Sequence, residues 1–425
     1  MAQQLYFSRD TKMFLEFDSF VWEIPVLDGF SFSQATNSSE ITLAEMESTG
    51  GVSRRGRRAF NDSLAPGEWS FSTYVRPFTA AGATQGAGSA DAAAEVHAVE
   101  EVLWALMAGA DNYTSSKYDK GGTDVLVPAG SEMNINFDSS NVAQLSTFNL
   151  YFVLGNANRT VMKLEGCVVG EASLDFDIDG IATIAWSGNA ANVLDFTGST
   201  IEATSAPAFD ANTKDGSEIA VGDVFLDTDN GHKLQIVTVK PGSGTVSLGS
   251  YVNEAITTTT NFIRNRLTVL TVTPTSQDPD SDGSPELESS YSLTLTGGNV
   301  TISNNITFIT PEEIGIVNVP IGHVTGTRNV SGSFTCYLTE DTGTTNASRD
   351  FFEDLRAITN VVTNSFALVF KIGGATGTGL ELNMATSHVE IPTHSIEDVI
   401  SLETNFQALP STIDGTNELA LTYRP

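Results

Sequence analysis

The sequence predicts a mainly β protein of the α+β class, in which one β-sandwich or barrel domain with a flanking α-helix occurs twice. Ser, Thr, Gly and Asn are frequent and apolar runs are short, which is typical of strands and turns. Residues 69–75, WSFSTYV, alternate large apolar with small hydroxylated side chains, the pattern of a strand with one buried face. Residues 332–338, GSFTCYL, repeat that pattern in the second half.

The first half contains the elements of one complete domain. Alternating patterns predict strands at 13–17, 20–26, 30–43 (interrupted near Asn37), 133–137, 148–154, 161–169 and 172–186. A helix is predicted over 91–108, because Asp91 suits an N-cap, apolar residues follow at helical spacing and Gly109 suits the end. His97 would lie within this helix, where we expect a structural role.

Between the halves the composition changes. Thr, Gly, Ala and Asp dominate residues 191–262, with two clear strand patterns at 224–226 and 233–239 around an Asp- and Gly-containing turn. The sequence therefore predicts a linker that carries a small β-rich insertion.

The second half repeats the order of the first. Residues 295–305 are similar to 27–37, a second helix is predicted over 348–359 with Ser348 as its cap, and 366–372 repeats the FxLxF pattern of 148–154. We therefore predict a first copy over 1–190, the insertion over 191–262 and a second copy over 263–425.

Charge and composition restrict the classes of function. The net charge is −31, from 52 acidic and 21 basic residues, so tight nucleic-acid binding is not expected, although an acidic surface lets DNA pass without adhering. Two cysteines without CxxC spacing predict neither a disulfide scaffold nor a metal site. No secretory segment and no membrane span are predicted, which indicates a soluble protein made in a cytoplasm.

Catalytic signals are weak. The five histidines lack metal-ligand spacing, and no nucleophile elbow, P-loop or dinucleotide fingerprint occurs, so we expect no enzyme activity and no cofactor.

Residues 175–180, DFDIDG, resemble a calcium loop, but strand alternation explains them better, with Ile178 facing the core and Asp175, Asp177 and Asp179 facing outward. Residues 278–283, DPDSDG, are more loop-like; a solvated acidic loop is the favoured interpretation and calcium binding is left open.

Four arginines oppose the overall charge. Arg54, Arg55, Arg57 and Arg58 fall within five positions of a predicted loop. They form either a solvated loop tip or a docking site for an acidic neighbour, such as another copy of this chain.

Several segments together resemble a known family. Residues 54–78, 182–192, 262–270, 295–313 and 321–338 resemble the major tail tube proteins of long, flexible-tailed bacteriophages, in the duplicated form found in T-five-like siphophages. The resemblance implies two β-sandwich copies per chain, three chains per pseudo-sixfold ring, and rings stacked into a tube. Residues 190–262 are longer than the usual linker, and the sequence ends at Pro425 without the Ig-like decoration domain of some relatives.

The expected function is that of a structural virion protein whose stacked rings form a negatively lined conduit for genome ejection. Candidate lumen residues are Asp175, Asp177, Asp179, Glu397 and Asp398, and the four arginines are candidates for inter-subunit docking. The resemblance implies other copies of the chain, tape-measure, tail terminator and baseplate-hub proteins as partners, and DNA as a transient passenger. It also implies a location in the phage tail after assembly in the host cytoplasm.

Two alternatives remain open at this point. One is a carbohydrate-binding or receptor-binding β-sandwich tail protein or adhesin, which would place exposed aromatic residues on a sugar platform. The other is a hydrolase with two acidic residues, although no spacing singles out a pair.

Overall fold

The computed structural model describes most of the chain. The residues left out of the description are 1–4, 43–44, 47–49, 52, 55–56, 81–94, 115–116, 138–143, 157–158, 206–207, 210–218, 230–232, 240–243, 253–261, 279–282, 284–286, 315, 341–346, 358–364, 397 and 414.

The first half of the chain forms strands and one short helix. The strands are β1 (Thr11–Phe17), β2 (Phe20–Ile24), β3 (Ser31–Thr42), β4 (Glu45–Met46), β5 (Ser53–Arg54), β6 (Arg57–Tyr74), β7 (Pro77–Ala80), β8 (Glu95–Ala98), β9 (Asn112–Thr114), β10 (Lys117–Lys120), β11 (Thr123–Pro128), β12 (Met133–Asn136), β13 (Phe148–Leu154), β14 (Thr160–Asp177), β15 (Thr183–Ala190) and β16 (Asn192–Asp195). The helix is α1 (Glu101–Ala108), and a single 3-10 turn, Ser8–Asp10, precedes β1.

The middle region is β-rich, as predicted. It contains β17 (Thr200–Ala203), β18 (Ala208–Phe209), β19 (Val224–Asp227), β20 (Lys233–Val239), β21 (Gly244–Thr245), β22 (Ser247–Leu248) and β23 (Ser250–Val252). Its apolar residues Val224, Leu226 and Leu234 pack with Phe14 of β1 and Tyr151 of β13 in one buried cluster. The insertion therefore covers the outer face of the sheet that contains β1 and β13.

The second half again begins with a 3-10 turn, Asn265–Leu267. Its elements are β24 (Val269–Pro274), β25 (Tyr291–Leu293), β26 (Leu295–Ser303), β27 (Ile306–Ile309), β28 (Gly322–Thr325), β29 (Asn329–Tyr337), α2 (Ser348–Ala357), β30 (Phe366–Ile372), β31 (Gly379–Val389), β32 (Thr393–Ile396), β33 (Ile400–Ala408) and β34 (Ala420–Arg424).

The strands of the two halves pair in the same order. In the first half, the antiparallel order is β2–β1–β13–β14 and β14–β15–β6–β3. In the second half it is β25–β24–β30–β31 and β31/β32–β33–β29–β26. Each of these strands thus has a structural counterpart, and the register matches Phe71 with Phe334 and Phe148 with Phe366.

The two halves are joined edge to edge. The end of β14 pairs with β26 from Glu171↔Ser303 to Asp177↔Gly297, which makes one continuous sheet from β3 to β32. The last strand, β34, adds a second connection because it pairs with β31 on one side and with β12 on the other.

One face of this sheet is buried under the helices and the outer strands. Trp69, Phe71 and Trp186 of the first half belong to the main core, as does Trp104 of the fully buried helix α1. The rings of Trp104 and Trp186 lie 4.7 Å apart in an edge-to-face contact. In the second half, Phe351 of α2 takes part in the same core. In the described part of the chain, neither helix is long and apolar enough to cross a membrane.

The predicted helix over 91–108 was wrong at residues 95–100. Residues 91–94 lie outside the described residues, and Glu95–Ala98 is strand β8, paired with β7, so His97 lies in a strand. The helix begins only at Glu101, whose carboxylate accepts a hydrogen bond from the backbone N–H of Ala98 and contacts His97 Nδ1 at 3.0 Å. Tertiary pairing with β7 therefore outweighed the helical spacing of the apolar residues.

The predicted strand over 172–186 was also wrong, because it is interrupted. Strand β14 runs without a break through 160–177, and the chain turns before β15, with Gly180 N–H donating to Asp177 Oδ1 at 2.8 Å. Ile178 therefore lies in the turn with 41% of its surface exposed and does not face the core.

Candidate functional site

The face of the sheet opposite the core is concave and polar. Ser31, Ser70, Ser187, Glu171 and Ser303 lie side by side on five neighbouring strands, β3, β6, β15, β14 and β26. Residues from all five strands line one groove of about 490 Å³, so the face is concave across these strands. We call it the concave face.

Short hydroxyl and amide side chains bond to one another along the concave face. Ser31 and Ser70 hydroxyls are 2.8 Å apart, and those of Ser173 and Thr301 are 3.1 Å apart across the join between the halves. Asn299 Oδ1 accepts from the backbone N–H of Ser333 at 2.8 Å. These contacts explain the alternation seen in WSFSTYV and GSFTCYL: the aromatic residues fill the core, while the small polar residues make a smooth surface.

The concave face is acidic. Its strand segments 31–34, 67–74, 171–177, 183–190, 297–303, 329–337, 393–396 and 400–408 contain no lysine or arginine. They contain five carboxylates, all of them exposed: Glu68, Glu171, Asp175, Asp177 and Glu403. Such a surface repels phosphate and offers polyanions no counter-charge.

The structure separates the predicted lumen residues. Asp175 and Asp177 lie on the concave face, whereas Asp179 lies in the turn after β14, 3.8 Å from Arg266. Asp398 is exposed in the turn between β32 and β33, and Glu397 lies outside the described residues. The sequence analysis did not include Glu68, Glu171 and Glu403 among the candidates. Their alternation with apolar neighbours indicates that each is exposed, but only strand pairing shows that the three lie on one face.

Arg57 and Arg58 of the predicted arginine cluster lie at the outer end of the β3–β6 hairpin. Arg57 forms a bidentate ion pair with Glu40 on the facing strand, which lowers the pKa of the Glu40 carboxyl, and the guanidinium of Arg58 lies 5.2 Å from the ring centre of Phe60. Arg54 is in β5, and Arg55 lies outside the described residues. The sequence prediction did not include these contacts within the chain.

A buried polar cluster attaches the last strand to α1. Tyr423 Oη accepts from Trp104 Nε1 and donates to Glu100 Oε1, both at 2.7 Å. Burial raises the pKa of Glu100 to about 7. Since these groups are fully buried and bond to one another, their geometry indicates a structural role.

No group of acidic, histidine or cysteine side chains suited to a metal ion occurs among the described residues. The acidic loop over 278–283 is largely outside that set; within it, Asp278 Oδ2 accepts from the backbone N–H of Gly283 at 2.8 Å. Both cysteines are buried, and burial raises their thiol pKa values.

Two strand edges of the continuous sheet are not paired in the described part of the chain. Strand β3 pairs with β6 only, and β32 pairs with β33 only. These edges are the counterparts of β26 and the end of β14, the two strands that join the halves. All four residues of β32 are exposed.

Comparison with known proteins gave one informative similarity. No family model matches the chain. The chain is 27% identical over 401 residues to the tail tube protein pb6 of Escherichia phage T5, a similarity that covers 93% of this chain and 69% of that protein. This similarity confirms the predicted resemblance to the tail tube proteins of T-five-like siphophages.

Proposed function

We propose that the chain is a structural tail tube protein that closes into rings and stacks them into a conduit for DNA. The observation that carries this proposal is the join between the halves. Strands β14 and β26 pair within the chain, and their counterparts β32 and β3 are left at opposite ends of the sheet. A heterologous contact between two such edges repeats from chain to chain, and it forms a ring when the rotation between chains closes, which is the arrangement we propose.

The register of the internal join predicts the register between chains. Asp175 pairs with Asn299 inside the chain, and the corresponding residues are Ser395 on β32 and Ser31 on β3. Ser395 of one copy would therefore face Ser31 of the next copy. Pairing also removes two exposed strand edges, which are otherwise prone to aggregation.

Apolar side chains lie at corresponding positions of the two joins. In the internal join, Phe176 faces Gly298, where a Cβ would lie only 2.8 Å from the ring. The corresponding pair between chains is Ile396 with Phe30, two large apolar residues that can contact each other across the join. Phe176 is 4% exposed and Ile396 is 78% exposed, as expected if Ile396 is buried only in the assembled ring.

Stacking of rings would use the two ends of the strands. The hairpin of β3 and β6 and the hairpin of β27 and β28 project from the same end and touch, with Leu64 N–H donating to the Asn318 carbonyl at 2.8 Å. That end exposes the apolar side chains of Ile309, Ile314, Ile316 and Ile321, and the opposite end exposes Ile178 and Leu267. Exposed apolar groups at both ends favour a head-to-tail stack, with the arginine cluster at the interface.

The concave face would then line the channel. With five carboxylates and no lysine or arginine in its strand segments, it would let DNA slide past without binding. Asp175 and Asp177 are lumen residues in this proposal, together with Glu68, Glu171 and Glu403, while Asp179 and Asp398 belong to the rim.

The same proposal includes the domain organisation and the partners. The matching order of strand pairing supports two copies, over 1–190 and 263–425, around the insertion over 191–262. We propose three chains per ring, and tape-measure, terminator and baseplate-hub proteins as partners in the virion tail after assembly in the host cytoplasm. A sugar-binding alternative is less well supported because all four tryptophans are buried.

Cross-linking across the predicted join tests the ring. The variant Ser31→Cys with Ser395→Cys would place two thiols opposite each other on neighbouring chains, at a distance that a disulfide can span. Oxidation should give covalent dimers and trimers on a non-reducing gel and no larger species, and negative-stain images should show rings with a central channel. Each single variant is the control.

Other results would contradict parts of the proposal. A ladder that extends beyond three chains would refute the trimeric ring, and the absence of cross-links together with images of monomers alone would refute ring formation.

A further inference from the structure

The segment that precedes the second copy is anchored on the first copy. Ile263 is buried, and its carbonyl accepts from the backbone N–H of Ala182 at 2.8 Å. The ring of Phe262 lies edge-on to Tyr74, with ring centres 5.3 Å apart, and beneath Arg76. The 3-10 turn that follows donates its Asn265 N–H to the Gly180 carbonyl.

A matching segment precedes the first copy. The 3-10 turns Ser8–Asp10 and Asn265–Leu267 each stand directly before the first strand of their half, and each is closed by a backbone hydrogen bond from the residue after it. The pairings Met13↔Phe152 and Leu270↔Phe370 align the two halves, so that Leu5 corresponds to Phe262 and Tyr6 to Ile263. Phe7 then corresponds to Arg264.

The first segment is apolar, but it is exposed in the single chain. Leu5 is 72% exposed and Phe7 52% exposed. Tyr6 turns toward its own copy, with its hydroxyl 3.0 Å from that of Thr160, much as Ile263 packs beside Gly373 of its own copy.

The surface that corresponds to the anchor of Phe262 is also apolar and exposed. The backbone N–H of Val75 donates to the Ala182 carbonyl, and the backbone N–H of Leu338 donates to the Ile400 carbonyl in the same way. This equivalence aligns three residues of the second copy with three of the first: Tyr337 with Tyr74, Val399 with Ile181 and Ile400 with Ala182. Ala182 is 2% exposed beneath the segment, whereas Ile400 is 38% exposed. We call Tyr337, Val399 and Ile400 the rim patch.

We infer that Leu5, Tyr6 and Phe7 of one chain dock on the rim patch of a second copy of this chain. Leu5 would contact Tyr337, and the backbone of Tyr6 would pair with that of Ile400. This inference rests on the proposed ring, and it adds a contact that is separate from the β3–β32 join: a terminal strap that reaches the same neighbour. Both halves of the contact are apolar, so docking removes exposed apolar surface from water.

Cysteine pairs test the strap against its nearest alternative. The variant Leu5→Cys with Tyr337→Cys should form disulfide-linked oligomers on oxidation. The matched control, Leu5→Cys with Tyr74→Cys, should not, because Tyr74 is covered by Phe262 of its own chain. Cross-linking of the control to the same extent, or a disulfide within a single chain, would overturn the inference.

The join provides an independent reference. If Ser31→Cys with Ser395→Cys forms cross-links while Leu5→Cys with Tyr337→Cys does not, the strap is refuted and the ring stands. If neither pair forms cross-links and no rings are seen, both are refuted.

A charge substitution gives a second, quantitative readout. Leu5→Asp with Phe7→Asp should weaken association by about tenfold or more, since two partly buried apolar contacts are lost. Val221→Asp, at a 64% exposed site in the insertion, is the matched control and should leave association unchanged. Equal effects of the two variants would contradict the strap.

Discussion

Phe176 and Ile396 occupy corresponding positions in the two halves, and this allows a sharp test of the join. Phe176 is 4% exposed because β26 covers it within the chain, while Ile396 is 78% exposed. Truncation of the first should therefore affect folding, and truncation of the second should affect assembly.

The magnitudes follow from burial. Phe176→Ala removes a buried ring that packs 5.4 Å from the Phe370 ring, and it should lower the free energy of unfolding by about 3 to 4 kcal/mol. Ile396→Ala should change the free energy of unfolding of the monomer by less than about 0.5 kcal/mol, because the side chain is exposed there. If Ile396 becomes buried on ring formation, its loss should cost about 2 kcal/mol per contact, or about 30-fold in the dissociation constant.

Urea denaturation of dilute monomer would measure the first effect, and sedimentation equilibrium over a range of concentrations the second. Val221→Ala, at an exposed site of the insertion, serves as the control for both. The reasoning would be refuted if Ile396→Ala left the dissociation constant unchanged, or if it lowered the free energy of unfolding as much as Phe176→Ala.

Three further predictions concern charge. Burial raises the pKa of the Glu100 carboxyl from 4.5 to about 7, so protonated Glu100 contributes to the free energy of unfolding fully below pH 4.5, and this contribution is lost as the pH rises through 7. Glu100→Gln should reduce that loss of stability by about 3 kcal/mol at most, measured by thermal unfolding over this pH range. An unchanged pH profile would contradict the assignment. Arg54→Glu with Arg55→Glu should leave the monomer folded but shorten tubes in electron micrographs, since the cluster lies at the proposed ring-to-ring interface; unchanged tube length would contradict the docking role. Asp175→Lys with Asp177→Lys should make tubes retain double-stranded DNA at low salt and release it at high salt, measured by co-sedimentation, whereas wild-type tubes should not retain it; equal behaviour would place these residues outside the channel.

Local patterns were sufficient for the elements of the fold that one buried face defines. Strand alternation correctly predicted the mainly β fold and strands such as β13 and β20, because a half-buried strand imposes a period of two on its own residues. The interruption near Asn37 corresponds to a register shift between Asn37 and Ser38. The repeat of WSFSTYV in GSFTCYL predicts two copies, and the net charge predicts that tight nucleic-acid binding does not occur; both stay predictions.

Other features depended on partners that lie far away in the sequence, so only the tertiary structure decided them. Residues 95–98 have helical spacing, yet pairing with β7 makes them a strand. Glu68, Glu171 and Glu403 share one face of the sheet only because distant strands pair in this register. Leu5 and Ile396 are exposed in the single chain, whereas their counterparts Phe262 and Phe176 contact the other half of the chain. The sequence by itself determined which residues alternate and repeat; long-range pairing decided which edges and apolar side chains were left for a neighbour.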